Sequence, residues 1–429
     1  VKVLGIADSD SYVKWGVATI TRMPRNWDTT FVIIDTPFLP TRAQRDAAVG
    51  GLLPEDPPVL SLAELTQRVE TEQPDAVFLS LRGPMIRVVL RAVIGASLRR
   101  PVLVSGLPGI SIPATRKALT FRSQVDLILL HSKRELRDFP DVAARLGLEQ
   151  RFGLATLPFF SAERRPDGVR DEIVFAAQAK VPALRSERMA ILGRLAEAAR
   201  RHPELTVVVK LRAVGDERQT HAERYPYDAL MADLTDPPAN LVAQSGSMAA
   251  HLERAVGLVT VSSTALLEAA AIGVPGLAID DFGVSNGLIN VVFEGSNLLG
   301  PSTDLADARF RHPDPAWLDD NYFHDPAEDD WIQQMEELAA ARDAAPLPLK
   351  KLRYGQAGGR LRHVWDRKRA LGSLDHSAAG YVALAIGYPV RALARAARRG
   401  RGLARGVRRR LLAHGRVVED GRVLADPVD

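Results

Sequence analysis

The sequence predicts an α/β protein made of two parallel-sheet units in tandem, facing a cleft and followed by a basic helical C-terminal extension. Three observations lead there. Short β-branched runs alternate with longer helix-compatible stretches, the pattern of parallel strands covered by helices on both faces. The rhythm breaks at a proline-bearing, charged stretch at 158–170 and then restarts. At 429 residues the chain is also too long for one ordinary core.

In the first unit, 1–165, the candidate strands are 1–7, 31–35, 75–79, 101–105 and 126–130. Helical spacing lies between them at 62–71 and 84–98, and 132–139 opens on Ser132 as N-cap with Glu135 as its capping-box partner. The second unit, 166–345, begins with a strand at 172–177 and the amphipathic helix 185–201. Strand 205–211, helix 248–256, strand 257–261, helix 264–272 and strand 275–280 follow. From 301 to 347 the chain is acidic and holds a helix around 328–342. The basic, glycine-broken segment 346–376 is expected to cross back onto the first unit, and 377–429 forms the tail.

Composition removes several function classes. An apolar fraction of 46% with 25% charged residues is that of a globular chain. The absence of cysteine excludes disulfides, thiolate metal sites and a cysteine nucleophile, and fits a reducing compartment. Nine scattered histidines lack the spacing of a zinc site. Arginine outnumbers lysine 47 to 9, which reads as GC-rich coding before it reads as chemistry. The opening strand runs straight into Asp8-Ser9-Asp10-Ser11, so no secretory signal is read, and no apolar stretch has spanning length. A cytoplasmic location is expected.

The most informative stretch is Gly257-Leu-Val-Thr-Val-Ser262-Ser263-Thr264-Ala-Leu-Leu-Glu268-Ala-Ala-Ala-Ile-Gly273-Val-Pro275-Gly276. A buried strand ends in three hydroxyl residues that open a helix, so free backbone N–H groups, the helix dipole and the hydroxyls converge on one spot suited to phosphate. Glu268, one turn in, comes within reach of a ribose hydroxyl. A plain helix cap would use the same residues. Strand 205–211 delivers Lys210 and Arg212 to its C-terminal end, where ligands of open α/β sheets arrive. His221 and Glu223, in the loop beyond, can complete that pocket, and a solvated charged loop is the alternative.

In the first unit Asp8-Ser9-Asp10 and Gly106-Leu-Pro108-Gly109 both follow strands and should face the same cleft. Asp8 and Asp10 are the carboxylates available to accept a proton from an acceptor hydroxyl. Gly106 and Gly109 allow a substrate close to the backbone, or make a tight turn. Asp8-Ser9-Asp10 also fits an Asp-x-Asp metal pattern, here on the first strand of the wrong architecture for that use. Asp280-Asp281-Phe282-Gly283 lacks the companion motifs of a kinase and reads as a loop near the donor, with Ser285 and Asn286 as polar contacts.

Strand, Ser-Ser-Thr, helix with Glu268, then Gly273-Val-Pro275 resembles the donor-binding segment of GT-B glycosyltransferases, which are two Rossmann-like domains facing a cleft. It is similar to that of bacterial surface-polymer enzymes, including polysialyl- and Kdo-type transferases and glycerophosphate polymerases, and of glycosyltransferases of GC-rich bacteria found near surface-sugar genes. The resemblance implies that Ser262 and Ser263, with Thr264, hold a nucleotide phosphate, and that no metal or other cofactor is essential. It implies a nucleotide-sugar donor, with a CMP-linked acidic sugar as one candidate, and a cell-surface glycan or lipid-linked acceptor. Related transferases carry Lys-x-His-Pro where this chain has Lys210-Leu211-Arg212-Ala213, which leaves the donor base open. UDP-sugar 2-epimerases share the segment, so an epimerase remains an alternative, as does a non-catalytic scaffold tethered to the membrane.

Residues 390–411 carry nine arginines and no acid, so the formal net charge of +4 becomes −5 without them. Arg391, Arg395, Arg398 and Arg399 share one face at helical spacing. Arg391–Arg410 is expected to meet an anionic membrane surface on its inner face. Nucleic acid is not an expected partner, because interleaved aromatics and a reading motif are missing.

Overall fold

Seven strands of the first half pair side by side, all parallel. They are β1 (Lys2–Ala7), β2 (Asp28–Ile34), β3 (Val59–Leu60), β4 (Ala76–Ser80), β5 (Val102–Gly106), β6 (Leu127–Leu130) and β7 (Arg151–Leu154), in the spatial order β3-β2-β1-β4-β5-β6-β7. Six more build a second parallel sheet: β8 (Glu172–Ala176), β9 (Thr206–Lys210), β10 (Leu241–Gln244), β11 (Ala255–Thr260), β12 (Gly276–Ile279) and β13 (Leu299–Gly300), ordered β10-β9-β8-β11-β12-β13. These are two Rossmann-like units, as the strand and helix alternation predicts. The central strands are buried along their whole length, Ala76–Ser80 and Glu172–Ala176 among them, because helices cover both faces.

This computed structural model describes residues 1–158, 168–211, 223–350 and 359–390. The chain divides into two compact units, Val1–Leu352 and Arg353–Asp429, so both sheets belong to the first. Strand order reverses between β1 and β4 in one sheet and between β8 and β11 in the other. Each sheet therefore has a topological switch point, the crevice at the carboxyl ends of its strands where open α/β sheets bind ligands.

Strands β3, β7, β10 and β13 are absent from the sequence expectation, and two longer parts of the chain also depart from it. Asp8 and Ser9 form a very short turn, because Asp10 already begins the helix Asp10–Ile20. That helix buries Val13, Trp15, Val17 and Ile20, and a helix buried on most sides shows no amphipathic stripe. The second departure is the return to the first sheet, which Tyr322 to Lys350 already makes. Trp331 lies against Gly153 of β7, where a Cβ would come within 3.2 Å of its backbone. Asp330 accepts the Leu154 N–H at 2.7 Å, Arg342 pairs with Asp75 at 2.8 Å, and Lys350 donates to the Val125 carbonyl at 2.9 Å. The acidic run explains itself here. Asp319 and Glu328 meet Lys133, Asp320 meets Arg137, Asp329 meets Arg22 and Glu337 meets Arg151, all cations of the first half.

Candidate functional site

At the first switch point a short turn after β1 brings Asp8 against Arg82, which follows β4. Asp8 is fully buried. One carboxylate oxygen accepts the Arg82 backbone N–H at 3.0 Å and the other accepts its Nε at 2.9 Å. The guanidinium lies 3.7 Å from the Phe38 ring centroid. Burial raises the Asp8 carboxyl above its ordinary range, and Arg82 opposes that rise through its charge and hydrogen bonds. With both oxygens engaged, Asp8 anchors Arg82. Asp10 is exposed in the first turn of its helix. Among the described residues no group of three or more His, Asp or Glu is arranged to hold a metal ion.

At the second switch point Gln178, just beyond β8, donates its side-chain amide to the Ser262 carbonyl beyond β11 at 2.7 Å. Its Oε1 is buried with no hydrogen-bond partner. Such an acceptor calls for an explanation, since buried polar atoms are nearly always paired. The hydroxyl turn sits beside it. Ser262 Oγ donates to the Ile289 carbonyl at 2.5 Å, Ser263 Oγ accepts the Ala265 N–H at 3.2 Å, and Thr264 is exposed ahead of the seven-residue helix Ala265–Ala271. The two serine side chains thus shape the turn, whose Ser263 N–H is itself held by Thr260 Oγ1 at 3.1 Å.

Lys210 ends β9 next to Ala176 of β8, buried, with its ammonium on the Leu211 carbonyl at 2.6 Å. Glu223 forms an ion pair with Arg188, which is buried in the first turn of the helix Arg185–Arg201. Arg188 also donates to the carbonyls of Gln178 (2.8 Å), Ala179 and Pro182 (both 2.9 Å) and Tyr225 (2.9 Å). Glu223 therefore completes a clamp that fixes two cleft-edge loops. Arg212 and His221 lie outside the described residues.

The two rims meet at Gly109. Its φ is +79°, and a Cβ there would come within 3.3 Å of Thr264 Cγ2, so the loop after β5 lies directly against the hydroxyl turn. Gly106 has a different role. A Cβ at Gly106 would meet the Trp15 ring at 2.6 Å, so this glycine makes room for core packing. Glu268 is half-buried in the short helix. Burial raises its carboxyl, and the charge of Lys14 opposes the shift.

A hub absent from the sequence reading holds the Gly109 loop in place. Glu135 is expected there as a capping-box partner, yet its carboxylate turns inward. It accepts the His131 N–H at 2.8 Å, the Ser111 N–H at 3.0 Å and the Tyr322 hydroxyl at 2.8 Å. Burial pushes this carboxyl up to about 7. His131 beside it is neutral, its ring taking the Trp15 indole N–H at 2.8 Å on Nε2 and giving Nδ1–H to the Ala155 carbonyl at 2.6 Å. Burial lowers it to about 4. The other residues that sequence reasoning missed are Arg82, Gln178 and Arg188. Only Arg82 carried a signal, sitting between a buried strand and the helix-opening Gly83-Pro84.

Solved structures share this architecture. UDP-GlcNAc 2-epimerase of Methanocaldococcus jannaschii, in complex with UDP-GlcNAc and UDP, superposes with a TM-score of 0.53 at 12% identity, covering 79% of this chain and 100% of its own. A "putative UDP-N-acetylglucosamine 2-epimerase" of Listeria monocytogenes gives 0.50 at 11%, covering 82% and 92%. The lipopolysaccharide outer core galactosyltransferase WaaB gives 0.40 at 13%, covering 80% and 98%. At these identities the likeness concerns the fold, which is GT-B-like. No curated protein matches the sequence. The model of the family described as "Putative glycosyltransferase (DUF6716)" matches residues 3–338, and the chain belongs to that family.

Proposed function

We propose that the chain transfers a sugar from a nucleotide-activated donor to a cell-surface glycan or lipid-linked acceptor, holding the donor at the second switch point. The observation that carries this reading is the buried, unpartnered Gln178 Oε1 beside the Ser262–Thr264 turn. It is an acceptor waiting for a ligand hydroxyl or N–H where open α/β sheets take their ligands. In this reading Lys210, with Arg212 and His221 in the loop beyond it, meets donor negative charge. The turn of Ser262, Ser263 and Thr264 takes the phosphate, most openly at the exposed Thr264, and Glu268 takes a ribose hydroxyl. Gly109 lets the opposite rim close on the donor without a side chain between.

Asp10 is the better placed proton acceptor, since Asp8 spends both oxygens on Arg82. The protein's own cations neutralise the leaving phosphate, so the reaction proceeds without an essential metal. The family description supports transfer rather than epimerisation. Two donor classes deserve the first assays. The epimerase structure named above holds UDP-GlcNAc, and the resemblance to polysialyl- and Kdo-type enzymes points to a CMP-linked acidic sugar. We place the reaction at the inner membrane face, with Arg391–Arg410 on anionic lipid; those residues lie outside the described ones.

The test is a coupled assay of nucleotide release and sugar incorporation, using UDP-GlcNAc and CMP-linked acidic sugars with membrane-extracted glycan as acceptor. Incorporation that requires acceptor is expected. Asp10→Asn should lower kcat on the order of 10²-fold while nucleotide binding persists. Conversion of UDP-sugar without acceptor would replace this reading with an epimerase, and no binding of any nucleotide would leave a scaffold.

A further inference from the structure

The second compact unit contains a helix turned inside out. Residues 378–390 are helical and pack on the helix Gly359–Leu371 through Gly380, Ala383 and Gly387, spaced i, i+3 and i+7. At Gly387 a Cβ would run into the Trp365 ring, so the small residue is what lets the two helices touch. Tyr388 meets the same ring edge-on at 5.0 Å. Lys368 places its ammonium 3.7 Å from the Tyr381 ring centroid, and Arg367 pairs with Asp375 at 3.0 Å between the helices.

The large apolar side chains face outward instead. Val382 is 56% exposed, Ile386 47% and Val390 59%, while Ala383 is 1% exposed. Val382, Ile386 and Val390 follow one another at i, i+4 and i+8, a continuous stripe along one face. A surface helix of a water-soluble protein does the reverse, burying its large apolar residues and exposing polar ones. No charged residue occurs from 377 to 390. The described part of the helix is about 20 Å long at 1.5 Å per residue, against the roughly 30 Å a bilayer core requires. Among the described residues no helix is long and apolar enough to cross a membrane. The chain then continues directly into the nine arginines of 390–411, and Arg360, Arg362 and Arg369 are exposed on the partner helix.

We propose that the 378–390 helix lies in the headgroup region of an anionic bilayer, with Val382, Ile386 and Val390 in the acyl boundary and the following arginines on the lipid phosphates. The choice of partner follows from charge complementarity. An apolar stripe alone would suit another protein surface, whereas a stripe joined to nine arginines and no acid suits anionic lipid. This deepens the membrane placement proposed above, and it depends on neither the donor site nor the transfer reaction.

Vesicle flotation of the full chain tests it, using phosphatidylglycerol mixed with phosphatidylcholine against phosphatidylcholine alone. The wild-type chain should float with the anionic vesicles and remain behind with the neutral ones. The triple variant Val382→Ser, Ile386→Ser, Val390→Ser should lose at least tenfold of that binding at equal lipid. These side chains are exposed, so circular dichroism and nucleotide binding should be unchanged, which separates this proposal from the donor-site reading. A second variant, Arg391→Gln with Arg395→Gln, Arg398→Gln and Arg399→Gln, should bind more weakly and with less dependence on salt. Wild-type flotation by the triple serine variant would overturn the proposal. So would lipid-independent self-association of the wild-type chain that the serines abolish, with no vesicle binding.

Discussion

Across the first switch point the buried Asp8 forms an ion pair with the half-buried Arg82, whereas across the second the Gln178 amide donates to the Ser262 carbonyl. The two sheets repeat one topology, so the difference lies in the side chains. Asp8 spends both carboxylate oxygens on Arg82, and removing the guanidinium would strand that carboxylate in low dielectric. The pair makes a fixed wall. The neutral bridge engages only the donor half of Gln178 and leaves Oε1 unpaired. Lys210, Arg188 and Ser262 around it bond to backbone carbonyls. Such contacts, with the Arg188 and Glu223 ion pair, position the loops around the unpaired Gln178 acceptor. In the proposed reading one rim holds shape and the other receives the donor.

The comparison breaks most severely at Arg188. Arg188→Ala removes the donors of four loop carbonyls and strands Glu223, which should cost about 3–5 kcal/mol in urea unfolding. Arg188→Lys should not recover it, since an ammonium cannot reproduce the fork.

The hub under the first rim comes next, and it is read through pH. Folded Glu135 holds its proton up to about 7, against an ordinary 4.5. Between those values the native state binds more protons than the unfolded one, so this group's contribution falls as pH rises. Glu135→Gln abolishes that slope. Relative to wild type, the variant's stability should climb by up to about 3 kcal/mol from pH 4.5 to 7, above a constant loss from its altered hydrogen bonds. His131 acts oppositely. Its folded value is lowered to about 4 from 6.5, so its contribution is complete above 6.5 and fades as pH falls toward 4. The wild-type profile should therefore be flatter between 4.5 and 6.5 than either group alone would give.

Asp8→Asn is expected to cost about 2 kcal/mol, because an amide N–H₂ then faces Arg82 in place of a carboxylate oxygen. Nucleotide binding should survive it. The smallest effect belongs to the seam between the rims. Gly109→Ala forces a side chain into positive φ against Thr264, for about 1–2 kcal/mol of strain in thermal unfolding. Adding Thr264→Ser removes the Cγ2 methyl and should recover the contact part of that loss, leaving the backbone part.

Much of the scaffold is legible in the sequence for a physical reason. Buried parallel strands are continuous β-branched runs, so β8, β9 and β11 stand within two residues of their expected bounds, and the long helix Arg185–Arg201 coincides with the expected 185–201. The helix Asp10–Ile20 is hidden because it is buried on most sides. The return of Tyr322–Lys350 is hidden because it depends on ion pairs with residues far away in the chain, such as Arg22 with Asp329. The strand-to-helix turn at Ser262–Thr264 is visible locally, since hydroxyl residues follow a β-branched run. Its partners are not. Arg82 lies 74 residues from Asp8, and Ser262 lies 84 from Gln178. Glu135 reads as an ordinary cap because only the folded chain brings Tyr322 and Ser111 to it.

Calorimetric titration of UDP and CMP into three proteins tests the receptor rim most directly: wild type, Lys210→Ala and Asp8→Asn. One nucleotide should bind the wild-type chain, and Lys210→Ala should weaken it roughly tenfold or more, the worth of one charge-assisted hydrogen bond. Asp8→Asn should bind it as wild type does. Unchanged affinity in Lys210→Ala together with lost affinity in Asp8→Asn would contradict the account, since it would put the nucleotide on the first rim.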